Sequence, residues 1–94
     1  MRLTWTAPAL RDLHDLRAYI ARDRPGAAER QATLVLTAAG GLLDFPQMGR
    51  PGRRHGTREL VVAKTPFILV YRRGGEAIDL LRVLHGRRQW PDRF

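Results

Sequence analysis

Residues 57–85 read T-R-E-L-V-V-A-K-T-P-F-I-L-V-Y-R-R-G-G-E-A-I-D-L-L-R-V-L-H. Three runs rich in β-branched and aromatic residues are separated by Thr65-Pro66 and by Gly74-Gly75. The spacing predicts strands near 57–64, 67–73 and 77–85. Short turns between them join neighbours in antiparallel fashion, with Gly74-Gly75 as a hairpin signal. Outward from this meander, Gln47 to Gly56 holds three Gly, a Pro and three Arg, and reads as a basic loop rather than an element.

Further upstream the apolar period lengthens. Leu10, Leu13, Leu16 and Ile20 recur at helical spacing, and Thr6 stands as an N-cap before Pro8. Ala28, Ala32, Val35, Ala39 and Leu42 form a second stripe, with Asp23 as its candidate cap. Helices are expected near 7–22 and 25–43. The short break at Arg24-Pro25-Gly26 makes them an antiparallel hairpin, and Asp44-Phe45-Pro46 stops the second. Arg2 to Trp5 alternates like a first strand whose pairing direction is open.

The expected fold is α+β, in the order β-α-α-β-β-β. The helical hairpin covers one face of a mainly antiparallel sheet and leaves the other face and the loop around Arg53-Arg54 available. The predicted core holds Leu13, Leu16, Ile20, Val35, Leu42, Leu60 or Val61, Leu69 or Val70, Leu80 or Leu81, and Val83.

Ninety-four residues suffice for a single domain with one modest core. The absence of Cys excludes a disulfide framework, and the absence of Ser excludes a serine nucleophile. His14, His55 and His85 lack metal spacing, so neither a metal nor another cofactor is expected. No apolar run approaches the ~20 residues of a membrane span, and Met1 to Ala9 has no signal-peptide core, so the expected location is cytoplasmic.

Charge is the distinctive feature. Seventeen basic residues, sixteen of them Arg, face nine acids, giving a net charge of +8. Residues 44–94 carry a net +6 against +2 for residues 1–43, which makes the C-terminal half the expected partner-facing half. Candidate binding residues there are Arg50, Arg53, Arg54, Arg58, Arg82, Arg87, Arg88 and Trp90. Arg suits phosphate or carboxylate, while Trp90 and Phe94 either stack on bases or pack against the domain. If the chain cleaves RNA, His85 is the candidate acid or base, and Arg58, Arg82 and Arg88 the candidate cations. The same residues serve equally as a docking surface for an acidic partner.

Four stretches carry a family resemblance: Trp5 to Ala21, F-P-Q-M-G-R-P at 45–51, Gly56 to Arg72, and L-R-V-L-H-G-R-R-Q-W at 81–90. Together they resemble the RelE/ParE superfamily of toxins from type II toxin–antitoxin systems. The resemblance implies a growth-arresting toxin, neutralised in a hetero-oligomeric complex by an antitoxin with an acidic C-terminal segment. RelE-like members cut mRNA on the ribosome; ParE-like members poison DNA gyrase. The cleaving members hold a Lys pair where this chain has Glu59 and Val61, and an Arg where it has Ile68. Their C-terminal Tyr falls near Phe94, and only their late Arg is matched, by Arg88. That pattern favours DNA gyrase as the target, with ribosome-dependent mRNA cleavage as the alternative.

Overall fold

The computed structural model describes residues 1–88, 90 and 91. β1 (Arg2–Trp5) leads into α1 (Ala7–Ala21) and α2 (Pro25–Gly41). Four strands follow: β2 (Arg50–Pro51), β3 (Arg58–Val61), β4 (Phe67–Gly74) and β5 (Ala77–His85). The sheet order is β1-β5-β4-β3-β2. Every pairing is antiparallel except β1 with β5, which is parallel at the edge of the sheet.

Local chemistry explains most of the boundaries. The Thr6 side chain accepts the Ala9 N–H and caps α1, while its hydroxyl donates to the Leu80 and Leu81 carbonyls. One residue thus starts the helix and ties it to β5. Asp23 does not cap α2, contrary to expectation. Its N–H bonds the Ile20 carbonyl, so it closes α1. Pro25 drives its predecessor out of helical geometry, and Arg24 takes the cap position with no side-chain bond. The β4–β5 hairpin turns through Gly75 at φ +59, one residue later than the Gly-Gly pair suggested, because Gly74 still pairs with Ala77.

The stretch read as a featureless loop contains an element. Arg50 and Pro51 pair with Glu59 and Arg58 and add a fifth strand, β2. Pro is tolerated there because an edge strand needs no outward donor. Correspondingly, β3 ends at Val61 rather than 64. Val62 to Thr65 turns back, with the Val62 N–H on the Phe67 carbonyl and Lys64 in the left-handed region at φ +68.

The core lies between the helical hairpin and one sheet face. Phe67, Leu69 and Tyr71 of β4 pack there with Leu16, Val35, Ala39, Leu42, Ile78, Leu80 and Val83. Leu13, Ile20 and Leu60 are only partly buried against this cluster. Of the paired expectations, Leu60 belongs to the core and Val61 does not; Leu80 is buried and Leu81 half-buried. Leu69 and Val70 are both buried, but strand alternation puts them on opposite faces.

Tyr71, read only as a β-former, is fully buried and organises the approach to β2. Its hydroxyl donates to the Pro46 carbonyl and accepts the Gly49 N–H, both at 2.9 Å. Gly49 is required beside it, since a Cβ there would lie 2.8 Å from the Tyr71 ring and hydroxyl. Replacing Tyr71 by Phe leaves a buried N–H unpaired. We expect a loss of about 1–3 kcal/mol in urea unfolding, with the fold retained. An unchanged midpoint would mean that the 46–49 segment anchors itself by other means.

Candidate functional site

β4 separates two surfaces. Its alternation sends Ile68 and Val70 to the face away from the helices, and the register extends them into rows: Val61–Ile68–Leu84 and Glu59–Val70–Arg82. The basic loop before β3 and the segment after β5 flank this second face.

Glu59 holds the basic loop. Among the described residues it is the one buried charged side chain, at 2% exposure. Its carboxylate accepts the Arg53 backbone N–H at 2.8 Å and the Arg50 guanidinium at 3.2 Å, with Arg53 Nε at 4.0 Å. The loop is closed further by the Gly52 N–H on the Thr57 carbonyl and the Thr57 hydroxyl on the Arg54 carbonyl. A Cβ at Gly52 would collide with the Thr57 hydroxyl at 2.3 Å. Buried Glu without a cationic partner is costly, so the Arg residues gathered at 50 and 53 are in part its counter-charge.

Two other Arg residues have structural duties. Arg58 donates to the Gly49 carbonyl at 2.7 Å and supports the same loop. Arg82 makes a fork with Asp12 of α1, Nε to Oδ2 at 2.6 Å and Nη2 to Oδ1 at 2.9 Å. The hydrogen bond to Asp12 raises the Arg82 pKa against the opposing effect of burial, so the charge is permanent at any working pH. The Asp12 carboxylate also accepts the Val83 N–H. β1 stops at the Trp5–Leu80 pair, so the remaining edge of β5 is open there. Asp12 covers that edge. Arg58 and Arg82, expected to face a partner, both make bonds within the domain.

Trp90 packs rather than projects. Its Nε1 donates to the His85 carbonyl at 3.1 Å, and the Arg53 guanidinium lies 3.6 Å above its ring. It links the basic loop to the end of β5. Phe94 lies outside the described residues. Arg88 approaches the exposed Tyr19 ring of α1 at 5.4 Å, and among the described residues no acid pairs with Arg87 or Arg88.

His85 stands at the end of β5 with its ring edge-on to Phe67, 5.8 Å between centroids. Its Nδ1 accepts the Arg87 N–H at 3.1 Å. In the neutral ring the proton therefore sits on Nε2, which makes the outer nitrogen a donor. The Gly86 N–H bonds the Pro66 carbonyl at 2.8 Å and locks the turn after β5 to the turn before β4.

Two concavities meet at His85. On the second sheet face, Val61 and Ile68 form an apolar floor with Lys64 and Arg87 beside it. On the helix side, a cleft of about 590 Å³ runs between α1 and the end of β5. Leu16, Ile20, Phe67 and Leu84 contribute its apolar lining, with Tyr19 and Arg88 also on its walls. Sequence reading missed this cleft because its walls lie far apart along the chain.

A family model for the ParE toxin of type II toxin–antitoxin systems, parDE, matches residues 3–90. The chain belongs to this toxin family. Y4kP of Sinorhizobium fredii is 44% identical over 96% of this chain and 93% of its own. Toxin RelE2 of Caulobacter vibrioides is 36% identical over 93% of this chain and 97% of its own. Among solved structures, the chromosomal ParDE system of P. aeruginosa matches with a TM-score of 0.81 and 27% identity, over 88% of this chain and 92% of that one. The RelBE2 toxin–antitoxin complex of Mycobacterium tuberculosis matches with a TM-score of 0.64 and 31% identity, over 89% and 95%. The toxin therefore carries the RelE/ParE-like fold, with two helices on a five-stranded, mostly antiparallel sheet.

Proposed function

We propose that the toxin arrests growth by inhibiting DNA gyrase and that it does not cleave RNA. The observation that carries this reading is the second sheet face. At the three places where the resemblance puts nuclease cations, this chain has Glu59, buried and bound to the basic loop, and the apolar pair Val61 and Ile68. Arg58 and Arg82, the candidate substitutes, are held by Gly49 and Asp12. Phosphorane stabilisation needs preorganised donors aimed at the reacting phosphate, and losing one such donor typically costs ~3–4 kcal/mol. The surface left over, apolar at the centre and basic at the margin, suits docking onto a protein.

Neutralisation then falls to an antitoxin whose acidic, amphipathic C-terminal segment lies in the helix-side cleft. Its apolar side chains meet Leu16, Ile20 and Leu84, and its acids meet Arg88 and the basic loop. Type II complexes named for the structural relatives, ParDE and RelBE2, support an antitoxin as partner.

His85 provides the test. In a nuclease it is the remaining acid or base, and its loss would abolish growth arrest. In the gyrase reading it packs on Phe67 at the strand end. His85→Gln should fold, bind antitoxin and remain toxic to within a few-fold of the parent in an induced-expression growth assay. Loss of toxicity in a well-folded His85→Gln protein would overturn the reading.

A further inference from the structure

The helix-side cleft contains a polar defect. The Gln31 side-chain carbonyl on α2 is buried and has no hydrogen-bond partner among the described residues. Gln31 lines the cleft together with Asp15 of α1. Buried polar atoms in folded proteins are satisfied with few exceptions, because an unmade bond forfeits what water would have supplied. The Asp15 carboxylate cannot supply the missing donor, since it too is an acceptor. Asp12, the third acceptor on this wall, is consumed by Arg82 and the Val83 N–H.

The cleft is therefore polarised. Its helical wall presents the unpaired Gln31 carbonyl and the exposed Asp15 carboxylate, while Arg88 supplies the cation from the segment after β5. A segment with acids alone would satisfy Arg88 and leave the helical wall unpaired. We infer that the cleft selects an antitoxin segment with a hydrogen-bond donor, a Lys, Arg or amide side chain, on the flank that faces α1 and α2, and that Gln31 is the specificity-determining acceptor. The terminal amide torsion of Gln is soft, so a modest rotation brings the carbonyl to an incoming donor. A partner that covers this acceptor without supplying a donor leaves it desolvated and unpaired, which counts against binding. A partner without the donor gains nothing there and is rejected.

This inference rests on the antitoxin lying in the cleft, and the experiment separates the two. The probe is the cognate antitoxin, titrated against the full toxin by calorimetry. Gln31→Leu removes the orphan acceptor from the free protein, so its melting temperature should stay level or rise. Its affinity for the antitoxin should fall about 10- to 100-fold. Gln31→Met serves as a second apolar replacement, and Gln31→Glu, which keeps an acceptor, should bind to within a few-fold of the parent. Tyr19→Glu, at the exposed rim of the same cleft, reports on docking itself. Weakening by Gln31→Leu and Tyr19→Glu, with Gln31→Glu spared, supports the inference. If Tyr19→Glu weakens binding while Gln31→Leu and Gln31→Met bind at least as tightly as the parent, Gln31 reads nothing and only the docking stands. If neither position affects affinity, the antitoxin does not occupy the cleft and both ideas fall.

Discussion

Asp12→Ala should unfold the toxin at a markedly lower denaturant concentration than any surface substitution. Asp12 performs two tasks that no other residue can take over. It pairs with Arg82 in a two-bond fork, and it accepts the Val83 N–H where β1 no longer covers β5. Its side chain is 15% exposed and that of Arg82 23%, so both charges are largely withdrawn from water. Removing the carboxylate strands a partly buried guanidinium and an open-edge N–H together. Breaking such a pair is far costlier than the pair is worth intact. The expected loss is about 2–4 kcal/mol. Against a typical domain stability of ~5–15 kcal/mol that is a large share. For a domain of this length it lowers the melting temperature by on the order of 15 °C. Arg17–Glu29 supplies the control. It is also a short, forked pair, 2.7 Å at its closest, but its side chains are 52% and 64% exposed. Arg17→Ala should cost no more than about 1 kcal/mol. Equal effects at the two sites would show that Asp12 is merely a surface acid.

Reversing the basic rim should slow antitoxin capture by an order of magnitude or more. Arg53, Arg54, Arg87 and Arg88 border the Trp90 bridge and the cleft, and the net charge of +8 favours an acidic segment over the whole approach. Charges of this kind act mainly on the association rate and are screened beyond a Debye length of about 8–10 Å at physiological salt. Single reversals to Glu, followed by surface plasmon resonance at low and high ionic strength, should reduce the association rate most at low salt. The four positions should not be equal. Arg53 is held by Glu59 and Trp90, so Arg53→Glu also repels a buried carboxylate and loosens the loop. Arg87→Glu should act through charge alone, while Arg88→Glu also loses the approach to the Tyr19 ring. Association indifferent to salt and to all four reversals would leave apolar anchors as the whole of the attraction.

The parts of the fold that were legible are those written in local pattern. The β-forming run at 67–71 states its element, and the helical stripe Ala28–Ala32–Val35–Ala39–Leu42 states both its element and its buried face. The parts that were not legible depend on contacts across the chain. Asp12 lies on α1 with nothing near it in sequence to announce Arg82 seventy residues later. Pro51 read as loop among the Gly and Arg residues of 47–56, and only its position at the sheet edge makes its missing donor harmless. Glu59 read as an acid beside a basic cluster. Its burial makes it the organiser of that cluster instead. The site expectations divide in the same way. Arg87 and Arg88 are exposed, whereas Arg58 and Arg82 bond to Gly49 and Asp12 across the chain. The cleft beside Gln31 has no sequence signature, since α1, α2, β4 and the segment after β5 each give it only a few residues.

The central claim is that this toxin works by binding gyrase through a face from which the nuclease cations are missing. The most direct measurement exposes purified gyrase and, in parallel, translating ribosomes to the purified toxin, and reads plasmid supercoiling in one reaction and mRNA 5′ ends in the other. The account predicts loss of supercoiling with intact mRNA. Undisturbed supercoiling with codon-phased cuts in the mRNA would contradict it.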